Sequence, residues 1–338
     1  QITWNMSLLN TLVSTSTISS ITTQAVGSSS NWDHTTFEIV ISFILFLIGV
    51  PLNSMVICFL GCKIKRNLYA TFLLHLSIAD FCYLSLSILG RLTYLLKFSW
   101  SLGPIACQLD SFFTSTHYYA CSFLLVVISA FRCCSVASPL WFRVRVNQPH
   151  WLTKLTCLMV WLLAFTLSSP HLVYTKVLQS GNMTVCGEME MEVNTWEIIL
   201  EGVVGFFFPL VLIIACNTYI LVTVRRNVTL HSSRLYKLIL ATTLAFVLCW
   251  LPFHCFRMMQ HANRSNSTSS TQASKSLETG ARYSVLLVYT NSAINPLIYV
   301  FSSGRIDRSL RLNTIFQRVF REEMSSERRA QETTRTEQ

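Results

Sequence analysis

Cys107 and Arg132 mark the two ends of a stretch that reads CQLDSFFTSTHYYACSFLLVVISAFR and carries no charge between Asp110 and Arg132. Wound as a helix it rises about 38 Å, enough to cross a bilayer with some tilt. The ends of a spanning helix face different compartments. One can hold an oxidised cysteine and the other a cationic contact in the cytosol. Asp80 lies inside another apolar run, where an ionisable group is costly and usually functional. His254 and Arg257 stand three apart, on one face of a helix. There is no metal-ligand cluster, phosphate loop or nucleophile motif, so an enzyme is not expected.

Composition says what positions these residues. Of 338 residues, 51% are hydrophobic and 12% charged, about half the charged fraction of a soluble domain. The apolar residues fall in blocks, as in an integral membrane protein. The net charge of +10 sits in short loops, not on one face, which argues against nucleic acid as a partner. Twelve cysteines in a chain this long are not a small disulfide scaffold. Most, such as Cys58, Cys82, Cys216 and Cys249, lie in apolar runs, where a cysteine is a small buried hydrophobe.

Seven runs are long enough to span as helices, near 37–61, 69–96, 104–135, 152–174, 197–224, 234–260 and 281–302. There is no internal repeat, which weakens a duplicated transporter. Asp80 is the one acid deep inside a span, whereas a transporter or channel calls for several polar groups along one path. Basic residues cluster after the first, third, fifth and seventh runs: Lys63, Lys65 and Arg66; Arg143 and Arg145; Arg225, Arg226 and Arg234; Arg305, Arg308 and Arg311. This asymmetry predicts an extracellular N-terminus and a cytosolic C-terminus.

Residues 1–36, rich in Ser and Thr, read as a disordered extracellular tail without a cleavable signal peptide. Asn5 and Asn182 head glycosylation sequons on the outer side, as do Asn263 and Asn266; Asn227 would be cytosolic and silent. Residues 37–302 form the bundle. Residues 303–321 repeat Ile306, Leu310, Ile315, Phe316, Val319 and Phe320 among arginines, which suits an amphipathic helix on the inner leaflet or else a partly ordered tail. Residues 322–338 read as a disordered cytoplasmic tail. The expected fold is an all-α membrane protein: a seven-transmembrane-helix bundle with a short amphipathic helix after the seventh span.

Several motifs fall in order in the right runs: GVPLN with Asn53, LSIAD ending at Asp80, Trp100-x-x-Gly103-x-x-x-Cys107, Arg132, Trp161, Pro209, CWLP at 249–252 after Phe246, and NSAINPLIY at 291–299. Over residues 37–321 the chain resembles the rhodopsin-like (class A) G-protein-coupled receptors. The resemblance implies a Cys107–Cys186 disulfide that ties the second outer loop over the third helix. It implies a polar cluster of Asp80, Asn53, Asn291 and Asn295 that holds a sodium ion or a purely hydrogen-bonded network. Cys121 stands there in place of the usual serine, so one oxygen ligand is missing. Pro252 and Pro296 would kink their helices. Trp250 would be a rotamer switch or plain core packing, and Arg132, Tyr299, Arg225 and Arg226 would meet a heterotrimeric G protein, and arrestin with it.

The chain also departs from the family's pattern. Phe131 stands where most members carry Asp or Glu before the arginine, which predicts raised basal activity or biased coupling. Asn217 replaces the usual tyrosine eight residues after Pro209, and Ser122 replaces a bulky aliphatic residue. The competing reading is an atypical or decoy receptor that binds without coupling. For the ligand, the candidate polar groups are Arg91, Tyr94, Asp110, Thr114, His117, Tyr118, His254 and Arg257. Thr114 in place of an aspartate argues against an amine, and a seventh span without lysine excludes a retinal Schiff base. PFHCFR resembles the nucleotide, lipid-mediator and chemoattractant branches, where an arginine in this place meets an anion; alternatively Arg257 reaches headgroups or loop water. ISAFRCCSVASPLWFRVRVNQP is similar, locally, to the Mas-related receptors. No cysteine lies in the N-terminal tail or last outer loop, against a standard chemokine receptor. A peptide or anionic lipid-type ligand is expected.

Overall fold

The computed structural model describes residues 6–62, 68–97, 99–138, 141–142, 150–180, 183–188, 195–226, 233–265 and 271–301, with the side chains of the first helix from His34 onward. The elements are α1 (Met6–Cys62), α2 (Leu68–Lys97), α3 (Gly103–Ala137), α4 (His150–Ser168), the single turn α5 (His171–Tyr174), strands β1 (Thr175–Ser180) and β2 (Met183–Glu188), then α6 (Thr195–Gly202), a wider π-helical turn (Val203–Phe207) leading into α7 (Phe208–Arg226), α8 (Ser233–Ser265) and α9 (Thr271–Phe301). By length and composition, six spans in these helices can cross a membrane: His34–Cys62, Leu68–Lys97, Gly103–Ala137, Trp151–Tyr174, Ile198–Thr223 and Leu240–Asn263. The seventh helix, α9, has 31 residues but pays for its length in polarity, with Arg282, Asn291, Ser292 and Asn295 along it.

Two boundaries differ from expectation. The first helix runs back to Met6, through the Ser/Thr-rich stretch whose composition predicts disorder. Between Met6 and Pro51 there is no proline, and only Gly27 and Gly49 are poor helix formers of the glycine type. Helix α9 begins at Thr271, ten residues before the apolar run. Residues 303–338, with the expected amphipathic helix and tail, lie outside the described residues.

Helix α3 is the axis of the bundle and packs against α2, α4 and α7, while α1 packs on α2 and α9. Its start is sharply defined. Gly103 takes a φ of 84°, which glycine adopts without strain, and Pro104 follows in the first turn, where a missing N–H costs nothing. Two apolar clusters fill the interior. One joins Phe59, Phe72, Leu76, Leu124 and Ile128; the other joins Tyr83, Leu84, Tyr118, Phe206, Phe246 and Trp250. Leucine and isoleucine side chains such as Leu47, Leu158, Leu162 and Ile214 stay exposed, as befits helices whose outer faces meet lipid.

An antiparallel hairpin stands between α5 and α6, with Val177 opposite Cys186. It is stitched to the loop before α3: Trp100 N–H donates to the Thr184 carbonyl at 2.7 Å, and Thr184 Oγ1 donates to the Trp100 carbonyl at 2.8 Å. The Cys107–Cys186 disulfide forms as the resemblance implies.

Candidate functional site

Under the hairpin lies a cavity of about 830 Å³, walled by α2, α3, α8 and α9. Such a volume lies within the range of ligand pockets. Arg91, Tyr94, Asp110, Thr114 and Arg257 all line it, with Cys186 and Gly187 of the hairpin above and Tyr83, Trp250 and Tyr289 below. Periodicity explains the α3 wall, since Asp110 and Thr114 are four apart on one face. Thr114 Oγ1 lies 3.0 Å from Ser87 Oγ, which ties that wall to α2.

Both cavity arginines have acidic partners that the sequence reading missed. Glu38 on α1, 1% exposed, accepts from Arg91 Nη2 and from Arg282 Nε, each at 2.7 Å. Asp80 is therefore not the lone acid of the spans. Arg257 pairs with Glu201 at 3.0 Å, so it meets a carboxylate and not simply headgroup water. The sequence signal for Glu38 was weak but present: one acid at the head of an otherwise apolar run.

Three other candidates lie elsewhere. His117 shares a helical stripe with Asp110 and Thr114 but sits about 10 Å deeper, seven residues further along the helix. There its Nε2 lies 3.0 Å from Asp80 Oδ1 and 3.0 Å from Ser292 Oγ. Its ring stacks on Tyr83 at 4.1 Å with an interplanar angle of 10°. Tyr118 and His254 are buried. Tyr118 donates its hydroxyl to the Glu201 carbonyl at 3.2 Å and packs on Trp250 at 4.6 Å. His254 packs against Tyr118 and Phe206, each at 5.0 Å. All three belong to the layer beneath and behind the cavity.

The Asp80 cluster is built from three helices. Asn295 Nδ2 donates to Asp80 Oδ2 at 2.7 Å, and the Cys121 thiol faces Oδ1 at 3.9 Å. Asn53 instead donates to the carbonyls of Gly49 and Ser292, at 3.0 and 3.1 Å. Asn291 is buried nearby, its Oδ1 without a hydrogen-bond partner among the described residues. Asp80, His117 and Cys121 bring three ligand-type atoms within 4.8 Å of one another. No motif announces this grouping, because two of its members lie on α3 and the third on α2.

Trp250 is buried between Tyr118, Phe246 and Phe253, two residues before Pro252. At the other end of α3, the Arg132 guanidinium lies 5.5 Å from the centre of the Tyr69 ring. Phe131 packs against Phe72 at 5.5 Å and Phe142 at 6.2 Å. The side chains of Arg225, Arg226 and Tyr299, and the sequons at Asn5 and Asn182, lie outside the described residues.

Residues 52–299 match the family model described as 7 transmembrane receptor (rhodopsin family). The chain belongs to this family. It is 31% identical to a C3a anaphylatoxin chemotactic receptor of Danio rerio, over 85% of this chain and 78% of the relative. It is 30% identical to a chemerin-like receptor 2 of Macaca fascicularis, over 81% and 78%. It is 27% identical to a type-1 angiotensin II receptor of Meleagris gallopavo, over 76% and 75%. The protein is thus a G-protein-coupled receptor, a multi-pass protein of the plasma membrane, and not an enzyme. The disulfide-tied hairpin roofs the cavity near one end of α3, and Arg132 lies toward the opposite end of the same helix.

Proposed function

We propose that this receptor is switched by an extracellular peptide, with its N-terminus outside the cell and its inner face open to a heterotrimeric G protein and to arrestin. The cavity carries the reading: it is wide, open under the hairpin, and has Arg91 and Asp110 in one wall and Arg257 in another. A peptide terminus offers both signs of charge at close quarters, and a carboxylate can exchange with Glu201 for the Arg257 fork. The similar receptors named for C3a anaphylatoxin, chemerin and angiotensin II favour a peptide over an anionic lipid.

Phe131 supports raised basal activity. Where an acid would bind Arg132, this chain places an aromatic ring that packs on Phe72 and Phe142. Phe131 itself offers Arg132 no carboxylate, so the acid–arginine pairing expected at this position from the family pattern is not available from this residue.

One experiment addresses both claims. Nucleotide exchange on G protein is measured with purified receptor, first alone and then with synthetic peptides ending in a free or an amidated carboxyl group. Wild type should show basal exchange that Phe131→Asp lowers several-fold. Free-acid peptides should act through Arg257 and lose potency with Arg257→Ala. A silent wild type that no peptide activates would leave the atypical, non-coupling receptor as the better reading.

A further inference from the structure

The cluster around Asp80 is where the family resemblance leads one to expect sodium, and its donors are wrong for that ion. Sodium is a hard cation, and such cations take carboxylate, carbonyl, hydroxyl and water oxygens. Here Asp80 Oδ1 faces an imidazole nitrogen at 3.0 Å and a thiol sulfur at 3.9 Å, and Oδ2 already accepts from the Asn295 amide at 2.7 Å. The groups aimed at the carboxylate are donors, where a cation would need lone pairs.

The imidazole is also held in place. Tyr83 stacks on it nearly parallel at 4.1 Å, Trp250 lies 6.1 Å away, and Ser292 Oγ meets the same Nε2 at 3.0 Å. One side chain on α3 therefore bridges a carboxylate on α2 to a hydroxyl on α9.

We propose that His117 takes the seat of the cation: its imidazole cross-links Asp80 to Ser292, closes the site to sodium, and leaves the receptor indifferent to that ion. His117 is a positioning residue in this account, acting through Asp80 and Asn295. The inference does not depend on the peptide reading of the cavity above it, because its test needs neither ligand nor G protein.

The test is the thermal unfolding midpoint of the full chain in detergent, in sodium chloride against choline chloride at equal ionic strength, with a third arm containing zinc chloride. Wild type should unfold at the same temperature in all three. His117→Ala should unfold at a lower temperature in choline and recover by a few degrees in sodium, which loss of packing alone does not produce. His117→Ser, which supplies an oxygen ligand, should recover further, and it keeps the test decisive if the alanine variant fails to fold. A wild type stabilised by sodium overturns the proposal. So does a variant that stays indifferent to sodium, since something other than His117 would then exclude the ion. Stabilisation of wild type by zinc, lost in both His117→Ala and Cys121→Ser, also overturns it and makes Asp80, His117 and Cys121 a soft-metal site instead.

Discussion

The most exposed consequence of the structure concerns Glu38. Its carboxylate is 1% exposed and bonded to Arg91 and Arg282, whose side chains are 24% and 35% exposed. It therefore fastens α1 to both α2 and α9 at the cavity end of the bundle. At a charge separation of about 4 Å and an effective dielectric of about 20, each pair gains about 4 kcal/mol. Burying the carboxylate costs several kcal/mol of that. Water reaches Arg282, so its share falls toward the roughly 0–1 kcal/mol of a surface pair, and Arg91 keeps more. Glu38→Ala removes both attractions and leaves two guanidinium groups facing each other. The expected loss is about 2–4 kcal/mol, and roughly half that for Glu38→Gln, which keeps one acceptor oxygen. The measurement is the unfolding midpoint in detergent, run as double-mutant cycles with Arg91→Ala and Arg282→Ala. Coupling to Arg91 should exceed coupling to Arg282. A Glu38→Ala midpoint indistinguishable from wild type, or the reverse order of couplings, refutes the reasoning.

Two further perturbations test how the walls are built. A Cβ at Gly205 would run into the Tyr118 ring, in the π-helical turn whose Gly205 carbonyl accepts from Ser122 Oγ at 2.6 Å. Gly205→Ala should cost about 1–3 kcal/mol of stability, and Tyr118→Phe in the same chain should recover part of the lost midpoint. Cys186→Ser opens a cross-link between residues 79 apart, worth about 4–5 kcal/mol in a chain-entropy account; hydrogen exchange should speed up across 175–188, but least at Thr184 and Trp100, whose backbone bond remains.

Much of the architecture was legible because membrane spans announce themselves locally. Apolar runs placed near 69–96 and 104–135 correspond to helices Leu68–Lys97 and Gly103–Ala137. The start of α9 was not legible. Lys275 and Glu278 look like loop residues, yet the helix runs through them, beyond the apolar run. The hairpin had a signal that went unread: Gly181-Asn182 between TKVLQS and MTVCGE is turn chemistry between two short strands. The partners of the arginines were the least legible. Glu38 lies 53 residues from Arg91 and 244 from Arg282, and no local pattern encodes such pairings. His117 failed differently, because its face was right and its depth was not.

That depth decides how the two ends of α3 are related. Asp110, Thr114, His117 and Cys121 follow one stripe of the helix. The upper two line the cavity and the lower two face Asp80. Between them the floor is closed by Tyr83, Trp250 and Tyr289, and His117 stacks against the first of these. A ligand that displaces the floor therefore bears on the side chain that joins α2 to α9, next to Asn295 and Pro296. Spatial continuity alone does not establish coupling; a two-state element does. Pro252 and Pro296 lie inside α8 and α9, and each, lacking an N–H, removes a helix hydrogen bond and makes a flexible point there. On the proposal that His117 takes the cation's seat, this chain carries a covalently tethered group between the floor and Pro296 in place of an exchangeable ion. Its response should accordingly follow ligand and sequence, not the salt outside the cell.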